Sequence, residues 1–176
     1  IQVANVADSL AAIKKLVYDE GRVGRTELLA ALRRNFEGDE ELRQKLQNKA
    51  PKYGNDIEWV DRIGNQWVTY FADKFKGLKN YRGGPYQTGM YTVSAHVPMG
   101  ANVGASPDGR LPGAPPAHAA FPAAYGRHIK WPPAPLPSDS RINSMLGPNG
   151  PPLNMQFPPQ FFTTADGIDK FSSPTR

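Results

Sequence analysis

Sixteen of the eighteen prolines lie beyond Val97, and only Pro51 and Pro85 precede it. Proline fixes φ and removes a backbone donor, so helix interiors and central strands must thin out in the second half of the chain. The pattern predicts a helical segment over residues 1–80 and a strand-and-loop segment with a proline-rich tail over residues 81–176. Within that tail "KWPPAPLPSDS" reads as a polyproline-like surface stretch. "LNMQF", Leu153 to Phe157, reads as a short strand hemmed by prolines, and a last short helix is expected from Thr163 or Thr164 through "ADGIDKF".

Before the prolines the apolar spacing is helical. Val6, Leu10, Ile13, Leu16 and Val17 fall three or four apart on one stripe, with Asn5 placed to cap the helix and Gly21 or Gly24 to end it. Thr26 suits the cap of a second helix carrying Leu28, Leu29 and Leu32, and Asp39 the cap of a third carrying Leu42 and Leu46. After the loop "APKYGND", the residues Ile57, Val60, Ile63, Trp67, Phe71 and Phe75 hold helical spacing until "GLKNYRGGPY" breaks it. A stripe so aromatic requires a large apolar surface to pack against.

Composition removes several classes of function. The chain has no cysteine, so its 176 residues hold no disulfide framework, no cysteine zinc site and no thiol nucleophile. The net charge of +5 comes from basic residues interleaved with acidic ones, as in "DEELRQKLQNK", which describes solvated helix faces rather than a nucleic-acid footprint. No apolar run approaches the roughly 20 residues of a membrane helix, so neither nucleic acid nor a membrane is expected as a partner. The chain starts at Ile1 without a secretion signal and reads as an excerpt or a processed product.

Few catalytic patterns survive inspection. His96, His118 and His128 lack ligand-like spacing, and the glycines of "YRGGPY" and "MGANVGASPDGR" do not match a phosphate-binding loop. Ser94, His96 and Asp108 hold the residue types of a triad but stand in no nucleophile elbow. "SPDGR" reads as a turn in which Pro107 supplies a fixed φ and Gly109 a positive one.

The phrases themselves carry more. "NFEG", "APKYGND", "SAHVPMG" and "PDGR" occur in order, and the chain from Ala4 through "NGPPLNMQFPP" to "DGIDKF" resembles the C-terminal half of the glycyl radical enzymes, the pyruvate formate-lyase and glycerol dehydratase superfamily. "SAHVP" resembles the diol dehydratase and lyase branch. The resemblance implies an α/β fold, part of a ten-stranded β/α barrel of two five-stranded halves. In it Tyr91 to His96 would be a barrel strand with alternate side chains inward. It implies that Tyr91 and Val93 line the substrate pocket, Tyr91 offering a hydroxyl and a ring face and Val93 an apolar wall; both positions also suit ordinary barrel packing. The loop after the strand would close over the site and exclude water.

The resemblance further implies a protein glycyl radical, installed by a separate activating enzyme that uses S-adenosylmethionine, and a cysteine that relays the radical to substrate. Neither radical loop occurs in this sequence. The chain therefore reads as a fragment, inactive alone and with no cofactor of its own. Its partners would be the remainder of a parent enzyme, the activating enzyme and a small-molecule substrate, with a homodimeric parent allowed and a cytoplasmic location expected.

In the tail Pro116, His118, Ala119, Ala120, Pro122, Pro133, Pro135 and Pro137 depart from the family's wording. Each proline inside a regular element costs on the order of 3 kcal/mol against a total stability of roughly 5 to 15, so the tail is expected to fold differently from the family. Two other readings stay open at this point. One is a non-catalytic helical interaction module whose proline-rich tail binds aromatic grooves; the other is an accessory domain that complements a damaged enzyme.

Overall fold

A computed structural model describes residues 2–91, 94–117, 141–146 and 159–164. The elements are α1 (Val3–Ala12), continued without a break by a π-helical stretch (Ile13–Asp19), then α2 (Arg25–Arg33), α3 (Glu40–Lys49), α4 (Glu58–Phe75) and α5 (His96–Ala101). Two 3₁₀ turns follow at Ser144–Leu146 and Pro159–Thr163. The second ends at Thr163, where the expected last helix begins. "ADGIDKF", "LNMQF", "KWPPAPLPSDS" and the family departures from His118 to Pro137 lie outside the described residues.

The helices appear where the spacing puts them, with different ends. Helix α1 begins after Gln2 rather than after Asn5, so Asn5 sits inside it with its side chain free for longer-range work. The π-helical stretch ends on Gly21 at φ +60°, where Leu16 O accepts both Arg22 N at 2.9 Å and Val23 N at 3.1 Å. Helix α2 starts after Gly24, not Thr26, because the Glu27 carboxylate reaches back to accept Gly24 N at 2.9 Å. Asp39 does flank α3, but its carboxylate pairs with Arg34 at 2.8 Å instead of capping the helix.

Two apolar clusters form. The second in space gathers Leu16, Val23, Leu28, Phe36, Leu42 and Leu46 where α2 and α3 close on the π-helical stretch. The first is the seam between α1 and α4, and its contents differ from the expected stripes. Val3, Ala4, Ala7 and Ala11 of α1 meet Val60 and Val68 of α4, with Tyr53, Met90 and Ile142 closing the sides. Gly64 lets the helices approach: a Cβ there would lie 3.0 Å from the Tyr53 ring and 3.2 Å from Val3 Cγ1. The larger residues of the stripes flank the seam. Ile57, Ile63 and Trp67 pack partly buried against it, and Trp67, Phe71, Phe75 and Tyr86 make a chain of ring contacts, 4.8 Å at its closest.

The expected barrel strand from Tyr91 to His96 is corrected. Among the described residues there is no strand, and His96 opens α5, with Met99 N donating to Ala95 O at 3.0 Å. An extended segment forms a ladder only beside a paired neighbour. Tyr91 itself takes part in a β-bridge, Thr92 and Val93 lie outside the described residues, and from Ser94 the chain turns into α5. Pro98 is tolerated because it falls in the first turn, where its missing N–H has no intrahelical acceptor.

Candidate functional site

The segment leading to Tyr91 is extended and two-faced. Thr88 and Met90 are buried, Thr88 donating to Leu146 O and Met90 joining the first cluster, while Tyr91 turns to the opposite face and is 44% exposed. This alternation agrees with a strand that presents alternate side chains to two surroundings. Val93, the other expected pocket residue, lies outside the described residues.

Beyond α5 the chain enters the loop 102–117, which polar side chains hold down throughout its length. Arg110, almost fully buried, donates to Leu111 O at 3.1 Å and Ala114 O at 2.7 Å, to Gly104 O, and through Nε to Ser106 Oγ at 3.2 Å. One guanidinium thus satisfies several carbonyls that a loop would otherwise leave to water. Asp108, fully buried, accepts from Ser106 Oγ at 2.5 Å and from Asn5 Nδ2 at 2.9 Å. The Asn5 carbonyl in turn accepts Ala117 N at 2.7 Å, so a side chain of α1 clamps the loop at two points. The carboxylate of the candidate triad of Ser94, His96 and Asp108 is therefore engaged in holding the loop.

The same loop rests on the other helices. Asn35, at φ +56° beside Phe36 at φ +62°, accepts Ala105 N at 3.0 Å through its side-chain carbonyl. Gly109 takes φ +85°, as its place in the turn predicts, and lies so close to α3 that a Cβ would stand 3.0 Å from Gln47 Cβ and 3.1 Å from Arg43 O. At Gly100 a Cβ would stand 2.6 Å from Ala114 O, so only glycine lets α5 approach the end of the loop.

"APKYGND" is fastened in the same manner. Tyr53 N donates to the buried Asp8 carboxylate at 2.7 Å, and the buried Lys52 ammonium donates to Leu46 O at 3.0 Å. Asp61 of α4, also buried, accepts from Arg141 at 2.8 Å, and Arg141 reaches Asp56 at 2.7 Å. The phrases that carry the family resemblance are thus fastenings between loops and helices. Sequence reasoning did not single out Asn5, Asn35 or Arg110 for this work. The signal available was the placing of amide and guanidinium side chains beside glycine- and proline-rich turns.

Other chemistry is sparse. Among the described residues no three His, Asp or Glu side chains cluster as metal ligands, and no helix is long and apolar enough to cross a membrane. Glu40 at the start of α3 is held down to a pKa of about 2 by hydrogen bonds from Arg43 and Gln44, a surface ion pair at one helix end.

The arrangement is a helical platform carrying one extended segment and one fastened loop, and comparison with known proteins decides whose platform it is. The pyruvate formate lyase-like family model matches residues 1–100, more than half of the chain. The chain belongs to this family. A (2S)-3-sulfopropanediol dehydratase of Klebsiella oxytoca is 35% identical over 97% of the chain and 21% of its own length. The glycerol-bound form of the B12-independent glycerol dehydratase from Clostridium butyricum superposes with a TM-score of 0.89 at 36% identity, covering 99% of this chain and 22% of that one. A glycyl radical enzyme from Archaeoglobus fulgidus gives a TM-score of 0.86 at 26% identity, with 99% and 22% covered. The pyruvate formate lyase-like chain thus has glycyl radical enzymes as relatives and spans about a fifth of their length.

Proposed function

We propose that the chain is a wall segment of the catalytic barrel of a glycyl radical dehydratase or carbon–carbon lyase, inactive by itself. Its role is to present Tyr91 and Val93 to a small hydroxylated substrate and to seat the loop 102–117 beside them. The observation that carries this reading is the superposition of nearly the whole chain on a glycerol-bound dehydratase with a TM-score of 0.89. Tyr91 supports it, because its neighbours Thr88 and Met90 face the core while its own ring and hydroxyl face away from it.

The radical-bearing glycine and the thiol that takes hydrogen from substrate belong to the rest of the parent polypeptide, and an activating enzyme that uses S-adenosylmethionine generates the radical in the cytoplasm. What this segment contributes is shape and exclusion of water. A fastened loop holds its carbonyls internally and brings little solvent to a reactive intermediate.

Two measurements test the reading. The reading frame on either side of the chain should encode a cysteine loop upstream and a glycine loop downstream. In the activated full-length enzyme, Tyr91→Phe and Val93→Ala should each raise KM or lower kcat by about tenfold, the cost of roughly 1.4 kcal/mol of lost transition-state contact. Unchanged kinetics in both variants would remove these residues from the pocket. Turnover by the purified 176-residue chain alone would overturn the assignment as a segment.

A further inference from the structure

Of the apolar stripe of α1 that spacing picks out, Leu16 enters the second cluster with Ile13 and Val17 packed against it, while Val6 and Leu10 enter neither cluster. Val6, Leu10 and the edge of Ile13 form one bank of an open groove of about 490 Å³, and Met99 of α5 and Val103 of the fastened loop form the other. Leu10 is 45% exposed and Met99 58%, on a groove whose lining is almost wholly apolar.

We infer that this groove is the docking face for the remainder of the parent polypeptide, filled by an uncharged apolar element of it. The inference rests on the proposed function. The relatives that share this fold are about five times longer, with this segment covering 22% of the solved glycerol dehydratase, so most of the parent has yet to be packed against it. Charge agrees. Among the described lining residues the one ionisable side chain is Arg110, and its guanidinium is spent on loop carbonyls, which suits an uncharged occupant.

The absence of native cysteine makes the test clean. Leu10→Cys and Met99→Cys are made separately in the 176-residue chain, with Glu41→Cys on an exposed position of α3 as reference. Each variant is also placed in a chimera in which the chain replaces its counterpart in the Clostridium butyricum glycerol dehydratase. Maleimide labelling is then followed peptide by peptide. Positions 10 and 99 should label readily in the chain alone and about tenfold or more slowly in the chimera, since labelling follows access to the thiol, while position 41 labels equally in both. Equal labelling of positions 10 and 99 in a folded chimera would overturn the docking face and leave the proposed function standing. Protection that appears in the chain alone as its concentration rises would assign the groove to a second copy and overturn the inference in that way. A chimera that does not fold would overturn both.

Discussion

Around α2 and α3, Leu28, Leu42 and Leu46 of the leucines that the spacing picks out are buried and Leu32 packs against them, while Leu29 stays on the surface. Along α1 and α4 the seam does bury Val60, but it leaves Leu10, Ile63 and Trp67 of the same stripes outside and takes in Ala4, Ala7, Ala11 and Gly64, which the spacing does not pick out. Both regions obey the same periodicity. The difference is what each helix has to face: the first region closes on itself within about fifty residues, whereas the second spends its small residues on a close helix pair and leaves its large ones on the flanks. Helical spacing reports that a face is apolar, and it does not report where the partner of that face is encoded.

Substitutions can break this contrast, and the largest effect is expected in the self-contained region. Leu46 is fully buried among Leu16, Leu42 and Phe36, so Leu46→Ala should lower stability by about 3 kcal/mol through lost burial and the cavity left behind. Chemical denaturation of the chain measures it. A cost below 1 kcal/mol would mean that the second cluster is not closed.

Gly64→Ala tests the seam. The added methyl meets Tyr53, Val3 and Ile142 at 3.0, 3.2 and 3.4 Å, and overpacking of this kind costs about 1–2 kcal/mol, less the gain in helix propensity. The same denaturation experiment should show a smaller loss than for Leu46→Ala. A stabilised variant would show that α1 and α4 are not held at this distance.

The smallest effect belongs to the surface of α3. Glu40 has its folded pKa depressed to about 2, so its contribution is present above the unfolded carboxylate range and is lost as pH falls through about 2. The stability difference between the native chain and Glu40→Gln should be full at pH 6 and vanish near pH 2. A difference that grows on acidification would contradict the pairing with Arg43 and Gln44.

Much of the helical layout was legible in the sequence, because the leucine, isoleucine and aromatic spacing is strong and Gly21, Gly38 and Gly77 mark the breaks with positive φ. Ends were less so. Asn5 has the chemistry of a cap, but Asp108 and Ala117 N compete for its amide, and they lie more than a hundred residues away. The strand expected at Tyr91 to His96 shows the same dependence: Tyr91 is in a β-bridge but His96 opens a helix, because pairing depends on a neighbour that local pattern does not name. Of the site, Tyr91 was reachable only through resemblance. Alternation exposes one face of a segment without saying what lies opposite.

The π-helical stretch joins the two regions, since α1 delivers Val3, Ala4, Ala7 and Ala11 to the seam while Ala12 and Leu16, on the same rod, enter the other cluster. One residue added to or lost from a helix turns everything after it by about 100°. Length changes between Val3 and Asp19 would therefore swing one core out of register with the other. Insertions and deletions inherited by this lineage should be confined to the glycine-marked joints on either side of α2, where the rod's bearing is not at stake.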